Sequence, residues 1–269
     1  MTEALTIASF NINGCSTAVT HSKLYDPFGI DHNDVSLNTN IIQYCTAQSI
    51  KILCLQETKL HDDSPDKKTT KDIADPDGDK GYRCLENPNR DKVSKGGTSI
   101  IFLDTTDITE ITTLYSDYDD DNQWIHPKEA NASSGRIQII SFKYLAETYY
   151  LINVYAPSEK HKEVKISFFH FLRDLLKQPN LSHLVNSNTI AVGDWNIVEN
   201  LLRDSISLRR DLDPNETCYL ESLDAFTDFL NGSILTDPSI LPNEEEDEDD
   251  EVNDVDPKHS NMTFFHINE

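Results

Sequence analysis

Four short apolar segments, spread between residues 5 and 194, each run straight into a polar side chain. LTIASF stops at Asn11, KILCL at Gln56-Glu57, YLINV at Tyr155, and TIAV at Gly193-Asp194-Trp195-Asn196. Continuous apolar runs of this length suit strands covered on both faces. Strand ends are rigid, and the loops leaving them tend to carry function. A fold that makes these strands neighbours gathers several oxygen-bearing side chains at one edge. Singly, each end has a plainer reading. Asn11 in Asn-Ile-Asn-Gly reads as a turn former, Glu57 as a solvated loop carboxylate, Tyr155 as an ordinary strand-end tyrosine, and Gly-Asp-Trp-Asn as an Asx turn. Four such ends in one chain are much harder to explain as turns.

The remaining text supplies more strands and few helices. Residues 98–103, 107–115, 136–142, 149–154, 189–192 and 262–266 read as strands, rich in Ile, Val, Thr and aromatic residues. In 161–177 the period changes: Val164, Phe168, Phe171, Leu172 and Leu175 are spaced by three and four, a helix with one buried face. Tyr219, Leu223, Phe226 and Leu230 mark a second helix, and 38–49 is a weaker candidate. Strands outnumber helices, which predicts packed sheets flanked by helices. A length of 269 residues suits one α/β domain over 1–269.

Charge limits the partners. The chain carries 47 acidic and 23 basic residues, a net of −24. Residues 244–256 (EEEDEDDEVNDVD) form a self-repelling run, which predicts an acidic disordered insertion over 243–258. Its ten acidic residues account for less than half of the net charge, so any attraction to DNA is weak and rests on local basic residues such as Lys92, Lys95, Arg203, Arg209 and Arg210. Five cysteines with no CxxC pair argue against structural zinc and suit a reducing compartment. Cys54, inside an apolar run, reads as a buried inert thiol. The N-terminus reads as a strand-like segment and not as a signal peptide, and no apolar run reaches the roughly 20 residues that span a bilayer. The expectation is a soluble intracellular protein with no membrane partner.

The chemistry that a cluster of carboxylates, amides and a phenol suits is phosphodiester hydrolysis. Mg²⁺ takes hard oxygen ligands, often one or two carboxylates completed by water and substrate phosphate. Glu57 is the first choice for metal ligand. Asp194 is the best candidate to orient or deprotonate the attacking water. Asn196 can donate to a phosphate oxygen or hold the nucleophile, Tyr155 can donate to the phosphate or the leaving group, and Asn11 can orient the metal ligand or its waters.

The chain resembles the exonuclease III-like (endonuclease/exonuclease/phosphatase) superfamily, and within it the apurinic-type endonucleases of LINE retrotransposons. The matching text is FNING (10–14), ILCLQETKL (52–60), KGGTSIIF (95–102), GRIQIISF (135–142), INVYAPS (152–158), AVGDWN (191–196) and MTFF (262–265). The resemblance implies a DNase I-like fold, a two-sheet sandwich in four layers, with the active site at one edge. It implies a Mg²⁺-dependent (alternatively Mn²⁺-dependent) DNA-nicking endonuclease, with Glu57 on the metal and Asp194, Asn196, Tyr155 and Asn11 as catalytic residues. It places Thr263 near the scissile site and gives Arg136 a structural or backbone-phosphate role. A nuclear location follows from that substrate alone. Ser158 departs from the family, which has Asn there. The family also continues past this point with a Ser-Arg-x-Asp strand and a final Asp-His, so the resemblance reads the chain as lacking its last strands. Neither His266 nor His259 matches the missing histidine. A C-terminal segment, or a reverse transcriptase of a parent polyprotein, would then be a partner. A remnant without turnover, and a phosphodiesterase acting on a small molecule or lipid, are the competing readings.

Overall fold

The structure, a computed structural model, describes residues 4–12, 41–59, 80–89, 96–117, 135–157, 162–186, 188–197, 217–233 and 262–267. The acidic segment 243–258, Ser158, His259 and the five basic residues named above lie outside them. The strands are β1 (Leu5–Asn11), β2 (Ile52–Gln56), β3 (Arg83–Asn87), β4 (Thr98–Phe102), β5 (Ile108–Ser116), β6 (Ile137–Tyr144), β7 (Glu147–Tyr155), β8 (Asn188–Asp194) and β9 (Met262–Ile267). The helices are α1 (Ile41–Ala47), α2 (Lys162–Leu176) and α3 (Thr217–Ser233), with a 3₁₀ turn at Ser182–Asn186.

Two sheets form. One runs β3-β4-β2-β1-β9 and the other β5-β6-β7-β8. Each contains one parallel pair, β1 with β2 and β7 with β8, so all four of these strands end at the same kind of edge. Among the described residues the expected strands all form. β3 and the 3₁₀ turn are additions, and the weak helix over 38–49 is the two-turn α1. β9 lies antiparallel to β1, opposite its partner β2.

The apolar runs are continuous because each strand feeds two cores. Successive side chains point to opposite faces. In β2, Leu53 and Leu55 meet α1 through Ile41, Ile42 and Cys45, while Ile52 and Cys54 meet the other sheet. In β6, Ile137 and Ile139 face α2, while Ile140 and Phe142 face the first sheet. The layers are therefore helix, sheet, sheet, helices: the DNase I-like α/β sandwich expected. In α2, the face of Val164, Phe168, Leu172 and Leu175 is fully covered, each such side chain contributing about 1.5–3 kcal/mol. Burial pushes the Cys45 thiol up to about 12 and raises that of Cys54 further, in keeping with inert thiols.

The β6–β7 hairpin turns on two residues, Leu145 and Ala146, both with positive φ (49° and 75°). Such a turn prefers Asn-Gly, because a Cβ is strained there. Leu145 is also 38% exposed. Leu145→Asn with Ala146→Gly is expected to raise unfolding free energy by about 1–2 kcal/mol, read from a urea melt.

Candidate active site

The inter-sheet layer changes character toward one end. Its apolar part ends at Ile7, Cys54, Leu151 and Val192. Two residues further along each strand, on the same face, stand Ser9, Gln56, Asn153 and Asp194. Buried Gln56 donates from Nε2 to Ser9 Oγ (3.0 Å) and Asn153 Oδ1 (2.7 Å). Asn153 Nδ2 donates to the carbonyls of Leu55 and Ser99, both at 3.2 Å. This amide lock ties the sheets together beneath the site, each buried polar group partnered as it must be. The next inward positions on β1 and β7 are Asn11 and Tyr155.

The sequence candidates meet there. Asn11 Nδ2 donates to Asp194 Oδ2 at 2.6 Å, across 183 residues of chain. Asp194 lies opposite Tyr155 in the β7–β8 register. Its Oδ1 accepts the backbone N–H of Asn196 (3.0 Å), an Asx turn of the kind the sequence suggested, but one turned to site geometry. Asn196 holds a φ of 49°, and its Nδ2 donates to Ala156 O at 2.7 Å. Lys165 of α2 donates to Asn196 O at 2.9 Å, which the sequence did not single out. Behind the loop, Trp195 packs on Phe226 and Phe229 of α3.

Glu57 follows β2 with a φ of 55°. Thr58 and Lys59 donate their N–H groups to Gly97 O (3.0 Å) and Gly96 O (2.9 Å), so the Gly-Gly pair before β4 clamps this turn. Lys59 Nζ stands 3.5 Å from Glu57 Oε1. The Tyr155 phenol is raised above its ordinary value, first by burial, then by the negative charge of Glu57, whose carboxylate it also hydrogen-bonds, and by Asp194; Arg136 opposes them. Both carboxylates thus act on the phenol by charge, and Glu57 by a hydrogen bond as well. The phenol is therefore protonated at neutral pH and is a donor.

Arg136 is buried, with its guanidinium 5.2 Å from the centre of the Tyr155 ring and Nη1 donating to Tyr155 O at 3.2 Å. This geometry fits the structural one of its two expected roles, support of the strand end. Thr263 pairs in register with Ser9, two residues before Asn11, so β9 runs alongside the site strand. His266 pairs with Thr6, toward the far end of β1.

The donors fit a hard divalent cation. Glu57 and Asp194 offer carboxylate oxygen, with the Asn11 amide and the Tyr155 phenol as neutral polar neighbours. Among the described residues no three His, Cys, Asp or Glu side chains cluster. A cation here would rest on one or two carboxylates, with water and phosphate completing its shell, as Mg²⁺ commonly does.

Solved structures share this sandwich. An AP endonuclease from Archaeoglobus fulgidus matches with a TM-score of 0.51 at 19% identity, over 84% of this chain and 70% of that one. The APE2 catalytic domain of Xenopus laevis matches with a TM-score of 0.50 at 21% identity, over 84% and 67%. No family model matches the chain, and no curated protein does. Among the described residues no helix is long and apolar enough to cross a membrane.

Proposed function

We propose that this chain is a metal-dependent phosphodiesterase that hydrolyses DNA. The reading rests above all on the bond from Asn11 to Asp194, which joins the ends of two sheets beside Glu57 and Tyr155. Turn formers at four separate strand ends have no reason to converge. The solved structures with this fold include AP endonucleases, which supports DNA as the substrate class.

A divalent cation held by Glu57, Mg²⁺ or Mn²⁺, would polarise a phosphoryl oxygen and stabilise the charge that develops on it. Asp194 then acts as general base. Asn11 and the Asn196 N–H fix its carboxylate, so that it can take a proton from the attacking water. Tyr155 donates its phenolic O–H to a phosphate oxygen. Asn196 shapes the loop through Ala156, and Lys165 supplies positive charge beside it.

The finer reading is a nicking endonuclease of LINE type. It draws support from the QETK, YAP and GDWN text and from Thr263 on the strand beside β1. The net charge of −24 favours a second reading, a phosphodiesterase acting on a small molecule or lipid. Incubation of supercoiled plasmid and of bis(p-nitrophenyl) phosphate with the protein and Mg²⁺, beside Glu57→Ala and Asp194→Ala, separates these. Nicking lost in both variants supports the DNA enzyme. Turnover of the small ester alone supports the second reading. No turnover of either at high protein concentration leaves a remnant without activity and ends the proposal.

A further inference from the structure

Beneath the site lies a carboxylate that the mechanism above does not use. Asp117 follows β5 and is fully buried. Its Oδ2 accepts the Arg136 N–H at 2.9 Å, and its Oδ1 accepts the N–H groups of Gly135 (3.1 Å) and Arg136 (3.2 Å). Oδ1 also accepts Asn87 Nδ2 at 2.7 Å. Asn87, fully buried at the end of β3, donates further to Thr98 Oγ1 and Ile137 O, both at 3.0 Å, and accepts Ser116 Oγ at 2.8 Å. This knot thus joins β3 and β4 of one sheet to β5 and β6 of the other.

A buried carboxylate is costly even when fully bonded. Burial pushes Asp117 up to about 6, against the pull of its donors. A fold that only needed to join its sheets could do so with apolar packing. What this arrangement fixes is the backbone of Gly135 and Arg136, and two paths lead from there to the site. Along one, Arg136 O accepts the Tyr155 N–H at 2.8 Å while the guanidinium covers the Tyr155 ring. Along the other, Gly135 lies so close to Gly97 that a Cβ on Gly135 would stand 2.7 Å from Gly97 N. Gly97 in turn accepts the Thr58 N–H beside Glu57.

We infer that Asp117 is a positioning residue: through the Gly135-Arg136 backbone it sets the Tyr155 phenol against Glu57. The catalytic part of this inference rests on the phosphodiesterase reading; the structural part does not. Asp117→Asn keeps the size of the side chain but turns an N–H toward the backbone donors. Supporting groups of this kind typically cost 10–100-fold when altered, so kcat should fall by about that factor while KM stays within about twofold. Part of the effect is relayed by the Arg136 guanidinium, so Asp117→Asn should cost less on an Arg136→Met background, which keeps only the backbone path, the non-additivity of coupled sites.

Arg Nε–H resonances supply a readout that needs no turnover. Lying over the Tyr155 ring, the Arg136 signal should be shifted upfield in the wild type, assigned by its loss in Arg136→Lys, and should move back toward the ordinary position in Asp117→Asn. Should Asp117→Asn fail to fold, Asn87→Ser removes one donor to the carboxylate and should give smaller shifts of the same sign. An unmoved Arg136 signal in a folded variant overturns the inference. So does an undiminished kcat, or an equal fall on both backgrounds. If the wild type has no turnover, the phosphodiesterase reading falls, and the Arg136 signal alone decides whether Asp117 orients the arginine.

Discussion

Asp194→Ala should lower the rate of Mg²⁺-dependent plasmid nicking by about 10²–10⁴-fold, the range for loss of a general base, with little change in unfolding free energy. The two halves of this expectation have separate causes. Asp194 stands at the end of β8, partly exposed, and its side chain accepts bonds from Asn11 Nδ2 and the Asn196 N–H. Truncation frees donors that water can reach, so about 1 kcal/mol of stability is at stake. The chemistry, by contrast, loses its base: the other carboxylate acting on the Tyr155 phenol among the described residues, Glu57, is the proposed metal ligand. Glu57→Ala should fall in the same range, since it removes the proposed metal ligand and also the carboxylate that the Tyr155 phenol bonds. A rate within tenfold of wild type in either variant, with the melt unchanged, would remove that residue from the mechanism.

The strand ends were legible in the sequence because one physical rule governs them. A strand between a sheet and a helix layer is apolar on both faces until the layer ends, so the switch to Asn11, Glu57, Tyr155 and Asp194 reports the edge of the sandwich. Partners are another matter. Asn11 and Asp194 meet only through the sheet pairing, which periodicity does not encode. Asp117 lies in YSDYDDD, where it reads as one more solvated acid; its burial comes from Asn87, 30 residues earlier, and from the turn at Gly135. β3, RCLEN, has only two apolar residues, set between charges, and stands at a sheet edge, so no apolar run announces it. The β6–β7 turn uses Leu-Ala in place of Asn-Gly, and only the flanking strands betray it. Lys165 looks like any solvated helix lysine until Asn196 is placed beside it.

The glycine before Asp194 is set by a different constraint, and its replacement should be the largest stability effect in the molecule. Gly193 has a φ of 149° and lies opposite Val154 in the parallel β7–β8 pair. A Cβ built there would overlap the Val154 carbonyl oxygen and stand 2.8 Å from its carbon and 2.9 Å from its nitrogen. All three obstacles are backbone, so no side chain can move aside. Val154 is itself fully buried under α2, which prevents β7 from retreating. Gly193→Ala must therefore part the two strands at their site end, breaking the bond from Ala156 N–H to Asp194 O along with the pairing. The expected loss is more than about 4 kcal/mol, beyond the ordinary range for a point substitution, visible as a much lower midpoint in urea. The same close approach holds Asp194 opposite Tyr155, so any folded fraction should also have lost Asp194's alignment with Asn11. A variant melting within 1 kcal/mol of wild type would mean that β8 lies farther from β7 here, and that the Asp194 carboxylate is not fixed by the sheet at all.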